Sequence, residues 1–253
     1  MNLAIVTPTH KRELGWKEIF RLRKSLASLK CSPHFFLIPD SLDTRHLQHF
    51  FKDSQFIRMS DWYFKSINHY NVLMLQESLY RKFAQFEYIL LCQTDAMVIG
   101  EVKTLLSFDY FGASWKKDFV LTEAFNRVYV NRERLLIGRK TNISAGNGGL
   151  SLRKTSSILE LIRFGKSKPY WNQFERVTKR KLNEDIIFSF LGTKLGLRIP
   201  DKQEADRYFS ETNPFDPNAL GELIGFHALE KYQPGLEQRL FDVIGGFSFG
   251  SKT

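Results

Sequence analysis

Asp95 is the residue whose position in this sequence most directly raises a question of chemistry. It follows an apolar run over residues 88–92 and the pair Gln93-Thr94, and the chain turns apolar again over 96–99. A carboxylate between two buried segments is costly unless it is paired or binds a metal. The sequence therefore predicts either a structural partner for Asp95 or a cation.

Two other apolar segments also end on polar residues. A predicted strand over 3–7 runs into Thr7-Pro8-Thr9, and another over 35–38 is closed by Pro39-Asp40. In an open parallel sheet, ligands bind beyond the carboxyl ends of the strands. Each polar end alone is better explained by turn or cap chemistry. The three together favour a binding site.

The second half of the chain carries further candidate groups. Glu184-Asp185 is a pair of carboxylates where a helix is predicted to begin, a position that acidic residues also favour because of the helix dipole. His227 stands alone, and a lone histidine is more often a packed or surface residue than a ligand. The segment Gly146-Asn147-Gly148-Gly149 would permit close approach of backbone to a ligand.

The elements that must position these residues alternate between strands and helices. Apolar strands are predicted over 3–7, 35–38, 56–58 and 88–92, and helices over 15–29, 44–51 and 66–84, the last with Ser66 as N-cap. Continuous apolar strands separated by helices are typical of a mostly parallel α/β sheet with helices on both faces. The second half is predicted to be less regular, with a strand over 108–115, a charged mobile excursion over 116–141, a helix capped by Thr155 or Ser156 and a helix over 186–191.

The composition restricts the class of protein without choosing one. The 253 residues carry a formal net charge of +10, from 37 basic and 27 acidic residues. This excess is typical of a solvated basic surface or of attraction to nucleotide diphosphates, anionic lipid headgroups or nucleic acid. Apolar runs of about five residues fall well short of the roughly 20 that a membrane span needs. The N-terminus lacks the pattern of a signal peptide.

The two cysteines, Cys31 and Cys92, have no spacing typical of a metal or redox site. The sequence leaves open whether the two form a disulfide. Because Cys92 falls in a predicted strand, we favour reduced thiols in a cytosolic chain.

Five short motifs, taken in order, resemble the GT-A class of nucleotide-sugar-dependent glycosyltransferases. Within it they are similar to a small bacterial and fungal family of proposed glycosyltransferases that was long described only as a domain of unknown function. The similarity runs from about residue 65 to 232. The motifs are Gln93-Thr94-Asp95, Tyr110-Phe111-Gly112-Ala113-Ser114-Trp115, Gly146 to Arg153, Glu184-Asp185 and His227.

The resemblance implies a single GT-A-like domain over 1–253, with a nucleotide-binding half over about 1–100 and an acceptor half over about 101–253. It implies transfer of a sugar from a nucleotide-diphosphate sugar, in particular a UDP-sugar, to a saccharide or lipid-linked saccharide. The pathway would be synthesis of surface polysaccharide or lipopolysaccharide. The protein would then act in the cytoplasm, at the inner face of the membrane and against its anionic surface.

The resemblance also implies roles for individual residues. Asp95 and His227 would hold Mn²⁺ or Mg²⁺, and Asp185 would be the general base of an inverting transfer. The donor would be bound by Thr7, Thr9, Asp40, Lys65, Asn71, Gln93, Thr94, Asp95 and Lys231. The sugar or acceptor would be bound by Trp115, Asn147, Gly148, Gly149 and Glu184. Gln93 replaces the first acid of the usual Asp-x-Asp motif, which predicts weaker metal affinity and leaves metal dependence open.

Three other functions compete with this interpretation. A nucleotidyltransferase would normally have a more acidic metal site and a glycine- and lysine-rich loop after the first strand, and no such loop accompanies Lys11-Arg12. A nucleic-acid-binding module would show a helix-turn-helix, zinc or aromatic-basic sheet signature, and none is present. A non-catalytic, nucleotide-sugar-binding GT-A-like domain is the third alternative, since Gln93 stands in place of an acid.

Overall fold

The computed structural model describes residues 2–30, 32–131, 137–177 and 182–245. Cys31 and the basic residues at 132, 134 and 179–181 lie outside the described residues. Cys92 is buried and carries a free thiol.

Twelve strands are formed by the described residues. They are β1 (Leu3–Pro8), β2 (His34–Pro39), β3 (Gln55–Met59), β4 (Tyr88–Cys92), β5 (Ala96–Val98), β6 (Tyr110–Gly112), β7 (Ser114–Ala124), β8 (Arg127–Val130), β9 (Arg139–Ala145), β10 (Leu150–Lys154), β11 (Phe209–Ser210) and β12 (Gly225–His227).

Ten α-helices and two short 3₁₀ turns, at Asp61–Phe64 and Val102–Ser107, are formed by the same part of the chain. The helices are α1 (Trp16–Ser28), α2 (Arg45–Phe50), α3 (Ile67–Met74), α4 (Glu77–Arg81), α5 (Thr155–Lys166), α6 (Trp171–Glu175), α7 (Glu184–Leu195), α8 (Lys202–Tyr208), α9 (Leu229–Tyr232) and α10 (Pro234–Gly245).

The central sheet has six strands in the order β3-β2-β1-β4-β10-β6. β1, β2, β3 and β4 are mutually parallel, and β10 runs antiparallel to its neighbours β4 and β6. The mostly parallel sheet of the predicted α/β fold class is confirmed. Because β1, β2 and β4 run the same way, their carboxyl ends share one edge of the sheet, as the sequence predicts.

Helices cover both faces of this sheet. Ala4 and Val6 of β1 pack on one face with residues of α3, α4, α5 and α7. Leu3 and Ile5 pack on the other face with residues of α1 and α2. Side chains of a strand alternate between faces, so the uninterrupted apolar sequence of β1 reflects burial on both sides.

Two smaller sheets complete the fold. β5 pairs with β12, and β12 with β11. β7 pairs with β8 and β9. The segment 116–141, predicted to be a mobile excursion, is therefore largely strand in its described part, because β7 and β9 place Phe119 opposite Ile143 in an antiparallel ladder. The strand predicted over 108–115 is divided into β6 and the start of β7.

The helix predicted over 66–84 is also divided, into α3 and α4. Gln76 adopts an extended backbone (ψ 122°) between them. The break leaves carbonyl groups at the end of α3, and two side chains satisfy them. The Gln76 amide donates to Val72 O, and the Tyr80 hydroxyl donates to Met74 O. The break turns Tyr80 into the core, which a continuous helical periodicity could not indicate.

Among the described residues, no helix combines the length and apolar character needed to cross a bilayer.

Candidate functional site

A cleft of about 680 Å³ opens at the carboxyl ends of β1 and β4. Its walls come from the segment after β1, from α1, from the turn before α3 and from the residues between β4 and β5. Four basic side chains line it, those of Lys11, Lys17, Arg21 and Lys65, together with the carboxylates of Glu18, Asp95 and Glu230. Lys11 pairs with Glu18, and Lys17 and Arg21 pair with Glu230, so the cleft presents charges of both signs.

Pairing of β5 with β12 brings His227 against Asp95, which lines this cleft. Asp95 directly precedes β5, and His227, the last residue of β12, pairs with Ala96 in the antiparallel register. The Ala228 amide donates to Asp95 O over 3.0 Å and closes the pairing. As a result, His227 Nε2 lies 3.3 Å from Asp95 Oδ1. The two residues are far apart in the sequence, so this contact depends entirely on the fold.

Glu211 anchors the other side of the imidazole. His227 Nδ1 lies 3.0 Å from Glu211 Oε1, and it must donate, because an ionised carboxylate only accepts. Glu211 Oε2 accepts from Asn147 Nδ2 over 2.8 Å, and Asn147 Oδ1 accepts from the Gly149 amide over 3.0 Å. We call Asp95, His227 and Glu211 the cleft cluster. Hydrogen bonds thus join this cluster to the glycine-rich segment.

Charge in the cleft cluster favours a protonated imidazole. Burial is the largest influence on His227 and opposes the charge, but the nearby carboxylates of Asp95 and Glu211 outweigh it and raise the pKa of His227 to about 9. Burial likewise acts to raise the pKa of Asp95, but the adjacent imidazolium of His227 prevails, so the pKa of Asp95 is lowered. Asp95 is ionised at neutral pH.

The cleft cluster fits a divalent cation. His227 Nε2 is buried, and despite the proximity of Asp95 it makes no hydrogen bond of regular geometry with the described residues. Its other ring nitrogen is held by a carboxylate, the usual arrangement of a metal-ligating histidine. A carboxylate and an imidazole together suit Mn²⁺. No group of three or more potential ligands occurs among the described residues, so oxygens of a bound ligand or water would have to complete the shell.

Arg21 supports the cleft from α1. Its side chain is 3% exposed and pairs with Glu237 and with Glu230, the latter over 3.1 Å. Its Nη1 also donates to Thr94 O over 3.4 Å. Arg21 therefore fixes the segment that carries Asp95 to the C-terminal helices.

A second group of ionisable side chains lies beneath the glycine-rich segment. Arg153 Nη2 is 3.3 Å from Glu184 Oε1, and the two side chains are 1% and 6% exposed. Asp185 accepts from the Gly148 amide over 3.3 Å and from the Ile186 amide over 2.7 Å. We call Arg153, Glu184 and Asp185 the sealed cluster. Burial and the adjacent Glu184 charge raise the pKa of Asp185 to about 7.

Gly148 and Gly149 separate the two clusters. A Cβ on Gly148 would lie 2.7 Å from Glu184 Oε1, and a Cβ on Gly149 would lie 2.1 Å from His227 Nε2. The resemblance implies that these glycines let backbone approach a sugar, and that role stays a prediction. The structure gives a second reason for glycine, because the place of each Cβ is taken by a side chain of the protein itself.

The predicted donor residues divide into two sets. Those that line the cleft are Thr9, Lys65, Gln93, Thr94 and Asp95. Thr7 does not, because it is fully buried and its hydroxyl contacts His34 Nε2 at 3.0 Å. Asp40 is exposed at the end of β2, beyond the cleft, so only two of the three predicted strand ends contribute to its wall.

Three further predicted residues also lie away from the cleft. Asn71 is buried and donates to Asn183 Oδ1 over 3.0 Å, at the start of α7. Trp115 is 9% exposed and packs edge-on against Phe119. Lys231 Nζ lies 4.7 Å from the centre of the Tyr232 ring. Asn71 and Trp115 are thus placed as packing residues.

The predicted acceptor residues gather around the glycine-rich segment. Asn147 uses both ends of its amide within the protein, and Glu184 and Asp185 are buried behind Gly148. None of these three lines the cleft. Their roles in binding or catalysis stay predictions.

Sequence reasoning missed Glu211, Arg21 and Arg153. Glu211 follows a two-residue strand in a segment without periodicity, so nothing in its neighbourhood marks it. Arg21 lies on the buried face of α1 beside Leu22 and Ser25. An arginine on an otherwise buried helix face is a usable signal, since such a charge needs a partner.

The fold is that of GT-A glycosyltransferases. An active-site mutant of LgtC aligns with a TM-score of 0.56 at 12% identity, covering 98% of both chains. Mouse xyloside xylosyltransferase 1 in its apo form also gives 0.56, at 10% identity, covering 90% of this chain and 98% of that one. A CMP-2-keto-3-deoxy-manno-octonic acid synthetase complexed with CTP aligns at only 0.43, with 12% identity, covering 79% of this chain and 89% of that one. At these identities the likeness concerns the fold.

The chain belongs to the family described as "Protein of unknown function (DUF5672)", whose model matches residues 53–227. That range contains Asp95, Glu211 and His227, and therefore the whole cleft cluster. No protein of curated function matches the sequence.

Proposed function

We propose that the protein is a glycosyltransferase that moves a sugar from a nucleotide-diphosphate sugar, in particular a UDP-sugar, to a saccharide or lipid-linked saccharide. One observation carries the proposal: Asp95, which lines the cleft, lies 3.3 Å from His227 Nε2. The cleft lies where open α/β sheets bind their ligands. Solved glycosyltransferases with the same fold support it.

The cleft would bind the donor. Thr9, Gln93 and Thr94 line its floor, where the nucleoside and diphosphate would lie. Lys65 is exposed at the cleft wall and would bind phosphate oxygens. Arg21 would act indirectly, by fixing the backbone carbonyl of Thr94 and therefore the position of Asp95.

Asp95 and His227 would hold Mn²⁺ or Mg²⁺, which when bound neutralises the charge of the departing diphosphate. Glu211 would keep the imidazole in the orientation and tautomer that expose Nε2. Since a ligating imidazole must be neutral, cation binding displaces the proton that the cleft cluster otherwise retains.

Asp185 would take the proton from the attacking acceptor hydroxyl in an inverting transfer. A pKa near 7 suits a general base, because it balances ionisation against proton affinity at working pH. Asp185 is 7% exposed and lies behind Gly148. The role therefore requires the acceptor to reach it past the glycine-rich segment.

Cytoplasmic location at the inner membrane face, in surface polysaccharide or lipopolysaccharide synthesis, completes the proposal. The net charge of +10 supports contact with anionic lipid. At the cleft mouth Ile67 is 72% exposed and Trp16 is 52% exposed. Sedimentation with vesicles of anionic lipid, and not with vesicles of neutral lipid, is the expected result.

A panel of nucleotide sugars tests the donor proposal. Thermal unfolding is measured with each donor, with and without Mn²⁺, and again after EDTA. We expect one donor to raise the Tm in the presence of Mn²⁺, and EDTA to remove the rise. Turnover of that donor should fall by roughly 10²-fold or more in Asp185→Asn. A fully active Asp185→Asn would exclude Asp185 as the base, and donor binding indifferent to EDTA would exclude the metal assignment.

A non-catalytic, nucleotide-sugar-binding protein is the second candidate. It is favoured by Gln93 in place of an acid and by the burial of Asp185. The same panel separates the two functions. Donor binding without hydrolysis or transfer, over a range of saccharide acceptors, would favour the binding protein, and turnover of any donor would exclude it.

A further inference from the structure

A second groove, of about 400 Å³, lies outside the cleft. It is at the C-terminal end of α7, whereas Asp185 is at the N-terminal end of that helix. Its walls come from the turn between β7 and β8, from the start of β9, from the loop after α5 and from the last turn of α7. No residue of either cluster lines it. The groove has no part in the donor binding or in the base role proposed above.

The groove has an excess of positive charge. Four basic side chains and one carboxylate line it: Arg127, Arg139, Lys168, Lys194 and Glu123. Lys194 Nζ pairs with Glu123 Oε2 over 2.5 Å, which neutralises the carboxylate. Among the described residues, Arg127 and Arg139 make no ion pair, although they lie on the two strands that flank β7. Two guanidinium groups thus remain available for an anion.

An aromatic side chain stands at the rim in an unfavourable backbone conformation. Phe125 and Asn126 form the two-residue turn between the paired residues Ala124 and Arg127, with φ of +51° and +57°. Glycine and asparagine suit such turns, whereas a phenylalanine in this region is an outlier. Phe125 is also 72% exposed. Neither backbone preference nor burial accounts for this side chain, and strain of this kind concentrates at binding sites.

A buried hydroxyl completes the wall. Tyr170 is 5% exposed, and its hydroxyl lies beside Glu123 without a hydrogen bond of regular geometry among the described residues. Burial, together with interaction with the Glu123 carboxylate, raises the pKa of Tyr170 above its usual value. The phenol is therefore neutral, and its proton is directed towards Glu123. Beside it Lys168 Nζ lies 4.0 Å from the centre of the Phe164 ring.

The groove and the proposed base lie at opposite ends of one helix. Asp185 is in the first turn of α7 and Lys194 is in its last. Nine residues of α-helix separate them by about 14 Å.

We propose that this groove binds an anionic saccharide, one that carries carboxylate or phosphate groups on its rings. Arg127 and Arg139 bind the anionic substituents, and Phe125 packs against the apolar face of a sugar ring. The identification of the ligand as a saccharide rests on the proposed glycosyltransferase function. The affinity of the groove for an anion that contains a ring rests on the residues that line the groove.

Titration of the full chain with a tetrasaccharide of galacturonic acid tests the proposal, with a neutral tetrasaccharide of glucose as the comparison. We expect the anionic probe to bind at least about tenfold more tightly, as one or two charge-assisted hydrogen bonds imply, and its affinity to fall with added salt. Phe125→Ser and Arg139→Gln should each weaken its binding by about five- to tenfold. Both residues are exposed, so neither change should disturb folding.

Lys140→Gln is the matched control, because Lys140 is the exposed neighbour of Arg139 and does not line the groove. It should bind the probe as the unaltered protein does. Equal affinity for the neutral tetrasaccharide, equal loss in Lys140→Gln, or tighter binding of single-stranded RNA would each overturn the proposal. Donor binding is measured on the same samples: its failure with the probe still bound refutes the donor cleft only, and the reverse refutes the groove only.

Discussion

The cleft cluster and the sealed cluster contain similar ionisable groups on opposite sides of one dipeptide, but they differ in their access to solvent. In the cleft cluster the Asp95 side chain is 49% exposed, and His227 Nε2 lacks a hydrogen bond of regular geometry with the described part of the chain. In the sealed cluster Arg153 and Glu184 are nearly inaccessible. Asp95 is therefore open to a ligand from solvent, whereas the Arg153–Glu184 pair is closed to one.

The comparison shows that ionisable groups of the same kind have different effects when they differ in solvent exposure. A buried ion pair contributes little net stability, yet removal of one member leaves a costly isolated charge. A partly exposed carboxylate can lose its partner at small cost, because water replaces it. Mutations should therefore affect stability at the sealed cluster and ligand binding at the cleft cluster.

Removal of Arg153 should give the largest effect. In Arg153→Met the Glu184 carboxylate is left buried without its partner, and we expect the free energy of unfolding to fall by about 3–5 kcal/mol. Urea unfolding measures it. The double variant Arg153→Met/Glu184→Gln should recover much of the loss. A double variant as unstable as the single one would show that Arg153 acts through packing rather than charge.

Asp95→Asn should abolish cation binding with little effect on stability. Loss of one of two protein ligands should lower donor turnover by roughly 10²-fold or more, while urea unfolding stays nearly unchanged. Mn²⁺ binding is followed by electron paramagnetic resonance. Asp40→Asn, an exposed aspartate outside the cleft, is the control. Unchanged Mn²⁺ affinity in Asp95→Asn would remove Asp95 from the cation site.

Asp185 should make stability depend on pH. Its pKa is about 7 in the folded protein and 3.8 ordinarily. Between these values the folded state retains a proton that the unfolded state loses, so its contribution to stability falls as pH rises through this window. Asp185→Asn lacks this titration. The Tm of the variant relative to wild type should therefore rise by roughly 5 °C between pH 5 and pH 8. A constant difference would show that Asp185 binds the same number of protons in the folded and unfolded states over this range, against the raised pKa.

Glu211→Gln should give the smallest effect. Glutamine can still accept from His227, but its amide group then faces the Asn147 amide, and the negative charge is lost. We expect Mn²⁺ affinity to fall by about tenfold, as for other partners of metal ligands. Gln233→Asn is a control, since Gln233 contacts the backbone of Glu211 and not its carboxylate. An unaltered affinity in Glu211→Gln would mean that Glu211 is only a packing partner.

The parallel sheet and the edge at which ligands bind could be predicted from local pattern. Apolar strands such as β1 and β4 carry their own signal, because burial on both faces leaves no polar alternation. Asp95 was recognisable because its charge interrupts such a signal. The resemblance added His227, which local pattern alone would have left as a packed histidine.

The remainder depends on tertiary pairing. Glu211 reaches His227 only because β11 and β12 run side by side. Thr7 and Asn71 have the residue types of a binding site, yet their side chains are used by His34 and Asn183. A sequence shows which groups could bind a ligand. It does not show which of them are already occupied by another side chain.

At Gly149 the absence of a Cβ atom explains why the position requires glycine. Its φ lies outside the left-handed region, so the backbone itself would accept any residue. The His227 ring nevertheless fills the place of a methyl group. Gly196 is the opposite case, with open space around it and a φ of +71°. Alanine at 196 would strain the main chain alone, whereas alanine at 149 would displace the imidazole and so separate it from Asp95 and Glu211.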